Sequence, residues 1–186
     1  MADRTVVLDG DEMRTALARI AHEIVENVGD PALLAIVGIH RRGAVLATRL
    51  QELLAERHGV EVPLGDLDIS FYRDDVTLRA GSPVVHATHL DFDVDGLTVV
   101  IVDDVLFTGR TVRAALDALN DHGRPRAVQL AVMVDRGHRE LPIRPDYVGK
   151  NLPTARDERI QVELVEVDEI DRVLLIRSPE ESESHG

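Results

Sequence analysis

The sequence predicts an α/β fold with a mostly parallel central sheet flanked by helices. Three apolar runs carry that prediction: Leu33 to Val37, Val99 to Val102, and the stretch from Arg126 to Val134. They lack the alternation of a half-exposed strand and suit strands buried on both faces. Two of them pass through a glycine-bearing loop into a segment of helical period. In open α/β sheets ligands gather beyond the carboxyl ends of the strands, so polar residues at those ends are the first candidates for function.

In chain order, Asp9 reads as a helix N-cap with Glu12 completing a capping box. Met13, Leu17, Ile20, Ala21 and Ile24 then keep helical period to about Val28. Arg14, Arg19 and His22 lie on the same stretch, as a solvated face or as a binding face. The Leu33 to Val37 strand delivers Gly38-Ile-His-Arg-Arg-Gly43 to a helix over 44 to 57. Backbone and guanidinium groups in such a loop suit a polyphosphate.

Val62 to Ser70 reads as a further strand. From Tyr72 to about Asp91 the pattern is lost, as in a functional lid or a disordered segment. Asp91 to Gly96 copies the opening of a calcium loop, but its twelfth position is Val102 and not a bidentate Glu, so a turn is expected. His86 and His89 have no third ligand at metal spacing and read as loop histidines.

The central stretch follows. After Val99 to Val102 come Asp103 and Asp104, where the strand is expected to end, then Phe107-Thr-Gly-Arg-Thr111. Val112, Ala115, Leu116 and Leu119 form the apolar face of the next helix. Loop amides and a helix N-terminus make an anion cradle. A Walker loop is excluded because the only Lys is Lys150, and a dinucleotide fingerprint because the loop has one glycine. The strand ending at Val134 carries Asp135 to Arg139. Ile160 to Val165 and Val173 to Ile176 read as closing strands, and 178 to 186 as a disordered acidic tail.

A chain of 186 residues fits one domain. No apolar stretch reaches the ~20 residues of a membrane span, and the N-terminus lacks a signal-peptide pattern, so a cytoplasmic protein is expected. With no Cys, disulfides and thiolate chemistry are excluded. A net charge of −13 opposes general nucleic-acid affinity unless a basic patch faces the polyanion.

Val99 to Thr111 resembles the phosphoribosyl-pyrophosphate (PRPP) signature of type I phosphoribosyltransferases. Val134 to Thr154, helped by Arg-Ile-Ala-His-Glu at 19 to 23 and Tyr-Arg-Asp-Asp at 72 to 75, resembles the PyrR family more specifically, and the match runs from about Val6 to Val173. The resemblance implies a type I phosphoribosyltransferase fold in one domain over 1 to 177. Its hood is expected at about 135 to 165 plus the N-terminal segment, and its mobile loop at about 72 to 91. It implies a uracil phosphoribosyltransferase, making UMP and pyrophosphate, that also regulates pyrimidine genes by UMP- or UTP-dependent binding to leader mRNA. A nucleotide-sensing RNA regulator without catalysis, or a PRPP enzyme for another base, are the alternatives.

By the same resemblance Asp103, Asp104 and Arg73 are catalytic, with Arg79 a further lid cation. Arg41, Arg42, Gly43 and Val105, Leu106, Phe107, Thr108, Gly109, Arg110 and Thr111 hold PRPP or nucleotide. Asp135 and Arg136 lie at the uracil pocket. Arg19, His22, His138, Arg139, Arg144 and Lys150 face RNA. Mg²⁺ is carried mainly by the substrate, and a homodimer or higher homo-oligomer is implied. Ala18 and Arg41 stand where the family often has Thr.

Overall fold

The computed structural model describes residues 3–70, 72 and 88–178. Five strands form the central sheet: β2 (Leu34–Ile39), β3 (Leu64–Leu67), β4 (Thr98–Leu106), β5 (Ala127–Asp135) and β6 (Tyr147–Asn151). Their order is β3-β2-β4-β5-β6 and every pairing is parallel. β1 (Asp3–Asp9), β7 (Arg159–Glu163) and β8 (Arg172–Arg177) form a small antiparallel sheet in the order β1-β8-β7.

The uninterrupted apolar runs have the expected cause. Leu34, Ile36, Val100, Val102, Ala131 and Met133 point to one side of the sheet. They pack there against helices α1 (Gly10–Val28) and α2 (Arg42–His58). The intervening Ala35, Val37, Val99, Ile101, Leu130 and Val132 point to the other side, against α3 (Arg110–Asn120). Each strand buries both faces along these residues, so the buried stretches themselves are apolar throughout.

Helix α1 starts as its sequence requires. Asp9 Oδ1 accepts the Glu12 N–H at 2.9 Å, and Glu12 Oε2 accepts the Asp9 N–H at 2.9 Å. Met13, Leu17, Ile20, Ala21 and Ile24 are all buried. The calcium-like stretch is a turn, in which Asp93 Oδ1 accepts the Asp95 N–H and Asp95 Oδ1 accepts the Arg124 N–H.

Four boundaries differ from expectation. β4 does not stop before the acids: it stays in register with β5 as far as Leu106. α2 begins at Arg42, two residues early. The strand expected over 62 to 70 is confined to Leu64–Leu67. Residues 147 to 151 lie in the central sheet, and the small sheet takes β8 besides the N-terminal strand. The expected mobile loop lies outside the described residues except for Tyr72 and 88 to 91, and 179 to 186 of the expected tail also lie outside.

The topology places a site. From β2 the chain crosses through α2 to β3, on one side of β2; from β4 it crosses through α3 to β5, on the opposite side. The direction reverses between neighbours β2 and β4, with α2 and α3 on opposite faces. A crevice opens at such a switch point, beyond the strands' carboxyl ends.

Candidate active site

Both loops singled out in the sequence meet at that crevice. The β2 loop supplies Ile39 to Arg42, and β4 supplies Asp103 to Val105. Together with Asp68, Ile69, Ser70 and Thr111 they line a polar cavity of about 330 Å³. A smaller cup of about 90 Å³, lined by Leu106 to Gly109 and Val112, adjoins it through Asp103, Val105 and Thr111.

Gly43 brings the walls together. A Cβ there would lie 2.5 Å from the Val102 carbonyl oxygen and 3.2 Å from Asp103 Cα, so only a glycine lets α2 start against the end of β4. The cup depends on Gly109, whose φ of 93° is left-handed and favours a residue without Cβ. No side chain caps α3 at Gly109. Apart from the Arg110 N–H, the amides of its first turn are left for an anion at the cup. Thr108 Oγ1 accepts the Arg110 N–H at 3.3 Å.

The two acids are oriented by the backbone that follows each of them. Asp103 Oδ1 accepts the Asp104 N–H at 2.9 Å, and Asp104 Oδ1 accepts the Val105 N–H at 2.8 Å. Asp103 is buried and Asp104 half-buried. Both stand between the amide cup and the arginine loop. Arg41 is exposed at the rim. Arg42 donates to Asp168 of α4 (Val165–Asp168), and those bonds raise its pKa against the opposing effect of burial. The His40–Arg41 peptide is cis.

Sequence reasoning missed Asp68, a buried acid whose Oδ1 accepts Ser70 N–H at 2.9 Å and Ser70 Oγ–H at 2.6 Å. Its signal was the same as for Asp103, an acid after an apolar run. It also missed Asp168, which has no local signal.

Arg136 is buried beside the cup. Its Nε donates to Thr154 Oγ1, and Nη2 donates to the carbonyls of Ala155 and Glu158. Burial pushes its pKa down. Asp135 Oδ1 accepts the Gly137 N–H and Oδ2 accepts Arg139 Nη2. Arg139 also donates to the carbonyls of Phe107 and Ile143, fastening the loop after β5 to the cup. Arg110 and Glu140 make a second tie there, at 3.1 Å.

The residues expected to face RNA fall into separate groups. Arg19 Nη2 donates to the Val148 and Gly149 carbonyls on the edge of β6, and Lys150 Nζ donates to the Val7 carbonyl. His22 stacks on His58 with ring centroids 5.5 Å apart. His138 Nε2 sits 2.5 Å from the Thr154 carbonyl, and Arg144 is exposed. Arg73 and Arg79 lie outside the described residues.

Comparison with known proteins agrees with this geometry. The phosphoribosyl transferase domain family matches residues 4–169. The chain is 59% identical over 173 residues to a bifunctional protein PyrR of a Roseiflexus species, covering 92% of this chain and 94% of that one. It is 58% identical to the bifunctional protein PyrR of Deinococcus radiodurans, covering 94% and 95%. Among solved structures, the hypoxanthine phosphoribosyltransferase of Trypanosoma cruzi superposes with a TM-score of 0.70 at 19% identity, covering 95% of this chain and 97% of that one. That likeness concerns the fold. The chain belongs to the phosphoribosyl transferase domain family and, within it, to the PyrR proteins.

Proposed function

We propose that this protein is a uracil phosphoribosyltransferase that converts uracil and PRPP to UMP and pyrophosphate. We propose further that it regulates pyrimidine-biosynthesis genes through UMP- or UTP-dependent binding to leader mRNA. The observation that carries the enzyme reading is the position of Asp103 and Asp104, between an amide-lined cup and an arginine loop in one cavity. A phosphorylated ribose with a polyphosphate leaving group needs that sequence of acceptors and donors.

The displacement at the anomeric carbon spreads positive charge over the ribose, so the site's work is positioning and electrostatics. The cup amides from Leu106 to Thr111 hold the 5′-phosphate. Asp103 and Asp104 accept from the ribose hydroxyls, and their charge favours a cationic sugar. Arg41 and Arg42 face the pyrophosphate, with Arg73 assigned to the lid. Asp135 and Arg136 belong to the base side.

Hard carboxylate oxygens line the cavity, a donor set that fits Mg²⁺. It would be carried mainly by the substrate's phosphates, with the Asp103 and Asp104 carboxylates lining the same cavity. When bound with PRPP it supplies charge neutralisation on the phosphates. Asp104→Asn tests the assignment: turnover with uracil falls about 100-fold or more while the melting curve is kept. Unchanged turnover overturns it.

The RNA reading rests on similarity to relatives named bifunctional. A binding constant for a pyrimidine-leader hairpin that falls steeply with salt supports it, and equal binding to scrambled RNA does not. We assign the protein to the cytoplasm as a homodimer or larger homo-oligomer. Among the described residues no helix is long and apolar enough to cross a membrane. Sedimentation of the full chain tests the assembly, and a monomer at micromolar concentration contradicts it.

A further inference from the structure

At the rim of the cavity two distant segments are joined. Arg42 Nη2 donates to Asp168 Oδ1 at 2.7 Å, and Arg42 Nε donates to Asp168 Oδ2 at 3.2 Å. Asp168 Oδ2 also accepts the backbone N–H of Leu164 at 2.9 Å, and Leu164 is fully buried in the core beneath. The carboxylate is therefore fixed on one side by buried backbone. On the other it grips a planar guanidinium at two points, which sets direction as well as position. A guanidinium has five N–H groups, and this pair occupies one on Nε and one on Nη2. The remaining donors of Arg42 belong to a residue that lines the cavity and feels the charge of Asp104.

We propose that Asp168 is a positioning residue for the pyrophosphate side of the site: it holds Arg42 so that the donors left on the guanidinium address the leaving group. The inference rests on the PRPP reading above. It assigns different parts to the two arginines of the loop. Exposed Arg41 is a rim charge, whereas Arg42 is an aimed donor whose aim is set from α4. Were Asp168 merely a counter-ion holding Arg42 away from the anion, its removal would tighten pyrophosphate binding. The two accounts predict opposite signs.

The test varies PRPP and uracil independently at fixed Mg²⁺, in the wild-type chain and in Asp168→Asn, Asp168→Glu and Arg42→Lys. Asp168→Asn raises KM for PRPP about tenfold, while kcat falls less than about threefold and KM for uracil moves less than about twofold. Arg42→Lys, which keeps the charge and loses the fork, gives the same rise, and Asp168→Glu recovers part of it. A lower KM for PRPP in Asp168→Asn, or equal changes in the PRPP and uracil constants, overturns the proposal. If Asp168→Asn fails to fold, Arg42→Lys carries the comparison: a rise in KM for PRPP supports the proposal and an unchanged KM overturns it.

Calorimetric titration of magnesium pyrophosphate into the full chain reads the same contact without turnover. Affinity about tenfold weaker in Asp168→Asn supports the proposal, and equal affinity overturns it. A wild-type chain that binds pyrophosphate through Asp168 but does not use uracil refutes the uracil reading alone. A wild-type chain that binds no pyrophosphate overturns both.

Discussion

The Arg136 guanidinium lies over the Phe107 ring, its central carbon 4.0 Å from the ring centroid. This contact joins the end of β5 to the anion cup. The nitrogens of Arg136 reach Thr154, Ala155 and Glu158 and tie that segment to the loop after β5. Arg136→Ala removes the charged donor that ties this segment down, a loss of about 1–3 kcal/mol in urea unfolding. On the proposed assignment of this segment to the base side, the same variant raises KM for uracil more than KM for PRPP. A stability change within about 0.5 kcal/mol would contradict this role.

Gly43→Ala tests the junction of α2 with β4. The added methyl meets the Val102 carbonyl at 2.5 Å, and backbone cannot rotate aside as a flexible side chain can. Overpacking of this kind costs about 1–3 kcal/mol. The displacement falls between the arginine loop and Asp103, so turnover drops along with stability. A variant with wild-type stability and rate would show that the helix start has room to move.

Acid stability depends on a clasp between α2 and the segment around α4. Arg49 donates to Glu166 at 2.9 Å through Nε and to Asp171 at 2.8 Å through Nη2. The bond from Arg49 holds Glu166 below the usual carboxylate range. Burial opposes ionisation of Asp171 and Asp168, but Arg49 and Arg42 outweigh it and hold both carboxyls down. Groups whose pKa is lower folded than unfolded bind fewer protons in the native state. Their contribution is complete above the unfolded carboxylate values and is lost as pH falls through the folded ones. The melting temperature therefore holds steady from pH 7 to about 5 and falls below about pH 4. Arg49→Gln melts lower at pH 7 and loses less on acidification. An identical pH slope in the variant would contradict the clasp.

The parts of the fold legible in the sequence are those with local causes. Double burial leaves unbroken apolar runs, so β2, β4 and β5 could be read directly. The capping box at Asp9 and Glu12 and the acid pair at a strand's end are local as well. β1 and β6 left no such mark. β1 is largely exposed, with Val6 53% accessible, and it is held by pairing with β8 with only Leu8 in the core. β6 is a short edge strand carrying Gly149 and Lys150, its open carbonyls met by Arg19.

The site was legible where acids and glycines gather at strand ends, and illegible where ion pairs span the chain. Arg42 and Asp168 are 126 positions apart, and Arg49 and Glu166 are 117 apart. Arg139, which the resemblance assigns to RNA contact, has its guanidinium engaged by Phe107, Ile143 and Asp135. Charge pattern alone does not distinguish a cation that fastens a loop from one that meets a polyanion.

On this reading the crevice between β2 and β4 transfers a phosphoribosyl group to uracil. Pyrophosphate release from PRPP and Mg²⁺ is the direct measurement, with uracil, orotate, hypoxanthine and adenine each supplied alone. The account predicts release with uracil only, and its loss in Asp104→Asn. Release with hypoxanthine or adenine would contradict the assignment of the base side, and the absence of release with every base supplied would leave the crevice as a nucleotide sensor and not a transferase.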